Sequence, residues 1–336
     1  MITKITRILL LIQVTLGIGL ALLTIKFFHV SNPWLALLAG IGLIIWLRLL
    51  ITANNFLLAW RYHSETPAAF RLHWRQICRL FLGEFMATMW SSSWTMPFQY
   101  FEKRIVPHPS ALPVLLVHGY GCNSGYWNSM SKALLRANIT HYAINMEPVL
   151  GTIDAYAAVV HEAMKTLCLE TGQEKAVIVA HSMGGLAARA YLRDHGSEHI
   201  AKIITLGTPH HGTALANFSI GLNGQQMRWS RDAKSGVLNN WLAQLQKGES
   251  EAMRALFVSI YSHHDNIISP QTSSYLPGAK NIEFRGIGHV ALALDPAIQS
   301  TVIEEIRAAS QPYAAIAAPA SHTLQGAPEN LHDVDT

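Results

Sequence analysis

Two long apolar runs stand close together at the N-terminus and constrain this chain more than any other feature. Leu9 to Phe28 is apolar apart from Gln13, two threonines and Lys26, and Pro33 to Ala53 is broken only by Arg48 and Thr52. Each has about the 20 residues that a membrane-spanning helix needs. The link is "HVSNP", in which Ser31 or Asn32 can cap the second helix with Pro33 at its first position. So short a link makes the two runs antiparallel neighbours. Gly17, Gly19 and Ala21 in one run and Ala36, Gly40 and Gly42 in the other would meet at similar depth and allow close packing. Lys4 and Arg7 precede the first run, as in a signal peptide, but no small-x-small cleavage site follows and a second run begins at once. Lys4, Arg7, Arg61 and Arg71 flank the hairpin, and only Lys26 lies near its loop. That bias places both chain ends on the cytoplasmic side, with Arg48 expected to snorkel toward that interface. The expected setting is a bacterial inner membrane.

The hairpin explains the composition. Charged residues are 14% and apolar residues 50% of the chain, against roughly 25% charged in soluble domains. A net charge of +4 without a basic cluster argues against nucleic acid. Cys78, Cys122 and Cys168 match neither a disulfide framework nor a zinc site and read as free thiols, in keeping with a reducing compartment. After the hairpin, Phe70, Trp74, Ile77, Phe81 and Phe85 fall on one helical face, and Arg71, Arg75 and Arg79 on a second stripe. This suits a helix lying in the membrane interface. The rival is a third span from Leu80 to Phe101, which would bury Glu84, Ser91 to Ser93 and Pro97.

From about Ala111, strand and helix patterns alternate, the mark of α/β architecture with a mostly parallel sheet. Strands are expected at 114–117, 141–145, 177–179, 200–206, 255–261 and 281–284, and helices at about 128–137, 152–169, 186–192 and 292–309. The implied organisation is a hairpin (1–55), an interfacial or linking segment (56–110), an α/β domain (111–310) with an inserted helical cap (about 214–254), and a tail (311–336) of disordered composition.

"VIVAHSMGGLAARAYL", residues 177 to 192, is a buried strand that stops at His181-Ser182 and passes through two glycines into a helix. It resembles the nucleophile elbow of the α/β-hydrolases, with Ala180 in place of the usual first glycine of Gly-x-Ser-x-Gly. "VLLVHGYG" resembles their His-Gly oxyanion loop, and "LGTPHHGT" resembles a stretch common after the next strand in lipases. Asp265 follows the strand ending in "SIYS", and His289 follows the last strand in "FRGIGHVAL". The order Ser182, Asp265, His289 is that of the α/β-hydrolases. The resemblance covers about residues 111 to 305 and implies a catalytic triad. Ser182 would be the nucleophile, His289 the base and Asp265 the acid that orients the imidazole, with the backbone N–H groups of Tyr120 and Met183 forming the oxyanion hole.

Against this stand simpler roles. His118, His181, His210, His211, His263 and His264 read as structural, since no Glu-containing zinc motif accompanies them; no metal or other cofactor is expected. Asp232 is a rival acid but lies in the insertion. That insertion carries Leu215, Phe218, Ile220, Leu222, Met227, Trp229, Leu238, Trp241, Leu242 and Leu245, where lipase-like enzymes place a lid over an acyl pocket. The resemblance therefore implies a membrane-anchored serine hydrolase acting on carboxylic esters, with acylglycerol or phospholipid as the expected partner. The alternatives are an acyltransferase using the same triad, or a catalytically silent membrane scaffold. Oligomeric state is not legible.

Overall fold

The structure is a computed structural model of the 336-residue chain; it describes residues 1–229 and 239–317, the side chains as far as 313. Two long helices, α1 (Ile2–Phe28) and α2 (Pro33–Arg61), form the hairpin. By length and composition both can cross a membrane. The Asn32 side chain caps α2 by accepting the Trp34 N–H, with Pro33 next to it. The small residues divide. A methyl group on Gly40 would lie 2.2 Å from the Gly17 carbonyl oxygen, so these two glycines set the helix approach, whereas Gly19 and Gly42 have no neighbour within 4 Å. Arg48 departs from the sequence expectation. Its Nε donates to Gln13 Oε1 at 2.8 Å and a terminal nitrogen to Ser92 Oγ at 2.7 Å, which hold it inside the helix cluster instead of letting it snorkel outward.

Next comes α3 (Trp74–Trp90), which runs through a π-helical turn at Ser91–Thr95 into the short α4 (Met96–Phe98). Its buried side is Leu80, Glu84, Phe85 and Ala87, while Trp74 and Ile77 are exposed. The predicted aromatic stripe is thus divided, because α3 packs one side on the rest of the protein. Leu82, Met86, Trp90, Trp94 and Phe98 form an exposed apolar surface.

A seven-stranded sheet follows. Its strands are β1 (Lys103–Arg104), β2 (Val114–Val117), β3 (His141–Ala143), β4 (Ala176–His181), β5 (Ile200–Leu206), β6 (Phe257–Ser262) and β7 (Lys280–Phe284). The spatial order is β1-β3-β2-β4-β5-β6-β7, with only the edge strand β1 antiparallel. The two faces are covered by α5 (Asn128–Arg136), α6 (Ile153–Thr171), α7 (Met183–His195) and α11 (Pro296–Ala317). β2 and β4 are buried along their whole length, as continuous apolar runs in a doubly covered parallel sheet should be.

Between β5 and β6 the described residues include α8 (Leu222–Gln226), α9 (Asn240–Lys247) and α10 (Glu251–Ala255). Met227, Leu242 and Leu245 join the core cluster, and Phe218 and Ile220 are exposed. Asp232 and Leu238 lie outside the described residues. The last helix continues through Pro312 to Ala317, beyond the point where the sequence suggests a disordered tail. Residues 318–336 of that tail also lie outside the described residues.

Candidate active site

Strand β4 ends and α7 begins at Ser182, whose backbone has φ 54° and ψ −127°. Non-glycine residues rarely adopt such angles, and strain of this kind clusters at active sites. Neighbouring small residues permit the corner. A Cβ on Gly184 would lie 2.5 Å from the carbonyl oxygens of Val117 and His118. The Ser182 N–H donates to the Leu206 carbonyl, and Thr208 Oγ1 donates to the Ser182 carbonyl at 2.9 Å. The "GTPHHGT" stretch thus braces the elbow from behind.

Asp265 follows β6. Its Oδ1 accepts the N–H groups of Ile267 and Ile268 at 2.8 and 2.7 Å, and its Oδ2 accepts the His289 Nδ1–H at 2.7 Å. The imidazole is therefore held with Nε2 free of a proton in its neutral form. His289 is further fixed by Asn266, which accepts its backbone N–H, and by His181, whose Nε2 donates to its carbonyl. Burial works against a positive charge on His289, but the adjoining Asp265 carboxylate and, more weakly, Glu84 outweigh it and raise its pKa.

Ser182 and His289 line one cavity of about 260 Å³ with Gly119, Tyr120, Cys122, Tyr126, His181 and Ile267. No hydrogen bond joins Ser182 to His289; such contacts often tighten only when substrate binds. The backbone N–H groups of Tyr120 and Met183 donate to no acceptor among the described residues. They remain available to a ligand. The His118 ring links this loop to the end of β3, donating from Nδ1 to the Gly119 carbonyl and accepting the Met146 N–H on Nε2. Burial pushes its pKa down to about 4. His181 and His210 are likewise buried and held well below the usual imidazole range. His263 and His264 are tied to Glu283 and to the Gly286 N–H, and His211 to Ser273.

The family model of the alpha/beta hydrolase fold matches residues 113–245. The fold is that of the α/β-hydrolases. Among curated proteins, the pimeloyl-[acyl-carrier protein] methyl ester esterase of Vibrio cholerae is 29% identical over 98 residues, covering 28% of this chain and 36% of that one. A triacylglycerol lipase of Pseudarthrobacter phenanthrenivorans is 28% identical over 118 residues, covering 32% of this chain and 35% of that one. The chain thus spans about a third of the length of the curated relatives it matches. Among solved structures, mature Bacillus licheniformis lipase BlEst2 has a TM-score of 0.51 at 17% identity, covering 62% of this chain and 97% of that one. Aspergillus fumigatus lipase B has a TM-score of 0.51 at 16% identity, covering 61% and 56%. At these identities the structural likeness is one of fold.

Two features of the candidate site were not legible in the sequence. None of the described residues of the 214–254 insertion lines the cavity; its far wall is Thr88, Ser91, Ser92 and Met96 of the α3–α4 segment. Met227, Leu242 and Leu245 of the insertion go instead to the core, Phe218 and Ile220 are exposed, and Trp241 donates to Asp154 at 2.7 Å. The second is Glu84. Its buried carboxylate accepts the N–H groups of Val290 and Ala291, each at 3.0 Å, at the turn that follows His289. A Cβ on Gly288 would lie 2.5 Å from Glu84 Oε2, so this glycine allows the approach. Desolvation raises the Glu84 pKa, against the lowering effect of those two N–H donors.

Proposed function

We propose that the chain is a membrane-anchored serine hydrolase that cleaves carboxylic esters, with lipid esters as its substrates. The supporting observation is the His289–Asp265 pair at 2.7 Å beside a strained Ser182 on the same cavity. Ser182 Oγ attacks the ester carbonyl while His289 Nε2 takes its proton. Asp265 holds the tautomer and stabilises the imidazolium. The N–H groups of Tyr120 and Met183 stabilise the oxyanion; losing one such donor typically costs about 100- to 1,000-fold in rate. The imidazolium then protonates the departing alkoxide, leaving an acyl group on Ser182. Water, deprotonated by His289, releases the acid and restores the serine.

Lipid esters fit an enzyme with two helices able to cross a membrane and an apolar helical surface beside its pocket. The test is turnover of an ester chain-length series by the purified protein. Ser182→Ala and His289→Ala should each remove nearly all activity, and the double variant should be little worse, because the two act as one unit. Unchanged turnover by Ser182→Ala rejects the proposal.

A further inference from the structure

A second cavity, of about 200 Å³, lies between the hairpin and α3. α1 contributes Leu9, Leu10 and Gln13 to its wall, α2 contributes Arg48 and Ile51, and α3 contributes Phe85. Thr88 and Ser92 line both this cleft and the cavity at Ser182, so the two adjoin along one edge of the α3 segment.

Arg48 is the unusual member. All three of its side-chain hydrogen-bond partners are neutral: Gln13, Ser92 and the Met89 sulfur. Among the described residues no carboxylate pairs with it. An unpaired guanidinium in a membrane helix is costly and marks a ligand or ion path more often than a structural need. Its depth narrows the ligand. Arg48 lies fifteen residues after Pro33, and Gln13 fifteen before Phe28. At a rise of ~1.5 Å per residue this is about 22 Å from the hairpin loop. In a hydrocarbon core about 30 Å thick, the pair then lies about 8 Å inside the boundary on the α/β domain's side. A lipid in that leaflet carries its ester groups at this boundary and its phosphate just outside it, so the headgroup must be drawn down into the cleft to meet Arg48. The cleft also has apolar walls from Leu9, Leu10, Ile51 and Phe85 for a chain.

We infer that this cleft is the substrate's entry and headgroup subsite, taking an anionic glycerophospholipid from the bilayer with its phosphate on Arg48. Its ester then reaches Ser182 past Thr88 and Ser92. The inference rests on the proposed esterase reading and goes beyond it in naming an anionic lipid.

The test uses the full-length protein in vesicles of non-hydrolysable ether-linked phosphatidylcholine, doped with either phosphatidylglycerol or neutral diacylglycerol. p-Nitrophenyl butyrate reports the ester chemistry separately. In Arg48→Gln, the ratio of kcat/KM on phosphatidylglycerol to that on diacylglycerol should fall by about tenfold or more. Arg48→Lys, which keeps the charge, should lose less. An unchanged ratio in Arg48→Gln overturns the inference. If Arg48→Gln does not fold, native mass spectrometry of Ser182→Ala in the same lipid mixture decides. Preferential retention of phosphatidylglycerol supports the subsite, and equal retention of both lipids overturns it. Failure of the parent protein on p-nitrophenyl butyrate would instead defeat the esterase reading, whatever Arg48 does.

Discussion

His289 is buried, yet its pKa is raised because carboxylates surround it: Asp265 in direct contact and Glu84 behind the following turn. A general base must be neutral, so activity should be lost as pH falls through that raised pKa. The acid limb of kcat/KM should therefore lie above the usual histidine value of about 6.5. Asp265→Asn should move the limb down and severely reduce kcat, because it disturbs the tautomer as well as the charge. Glu84 is a positioning residue in this account. Glu84→Gln keeps an acceptor for one N–H but removes the charge. It should lower kcat by about tenfold or more through misplacement of His289, leave KM nearly unchanged and shift the limb downward. A variant that only lowers the melting temperature, with the limb unmoved, would make Glu84 purely structural.

At the scale of elements, the insertion between β5 and β6 is fastened to α7 by a buried ion pair. Arg189 Nε and one terminal nitrogen reach the two carboxylate oxygens of Glu249 at 2.5 and 2.9 Å, both side chains being almost fully buried. Removing one partner of such a pair strands the other charge and typically costs about 3–5 kcal/mol. Glu249→Ala should therefore unfold at markedly lower denaturant in detergent solution; an unshifted midpoint would contradict this. The order Ser182, Asp265, His289 was readable because each residue follows a strand with its own apolar pattern. Glu84 was not, since its partners lie about 200 residues away and leave no local periodicity. The two-residue strand β1 is too short to carry a pattern. Composition does not tell which way each apolar residue of the insertion faces: among the described ones Phe218 and Ile220 are exposed. Leu242 and Leu245 face the core, and α3 walls the cavity in their place.

At the scale of the whole molecule, the hairpin and the α/β domain meet through polar contacts. Asn123 Nδ2 donates to Thr3 on α1 and Ser269 Oγ donates to the Ala59 carbonyl on α2, while Arg7 Nε ties α1 to the Pro97 carbonyl on α4. If the hairpin spans a membrane as proposed, a domain seated on these ends lies on the side of Lys4 and Arg61, which by the positive-inside rule we propose to be the cytoplasmic one. In that arrangement α3 would lie along the interface, its exposed Trp90, Trp94 and Phe98 available to lipid and Glu84 directed to the turn after His289. Reporter fusions at Pro107 and Thr336 should both give cytoplasmic fluorescence and no alkaline phosphatase activity. The opposite pattern would overturn this assignment and place the site outside.

The central claim is that Ser182 is an activated nucleophile, and the most direct measurement is its covalent capture. Incubation of the full-length protein with a fluorophosphonate, followed by proteolysis and tandem mass spectrometry, should place one adduct on the Ser182 hydroxyl. Labelling should be abolished in Ser182→Ala and strongly slowed in His289→Ala. An adduct on a different residue, or folded parent protein that stays unlabelled, would contradict the account.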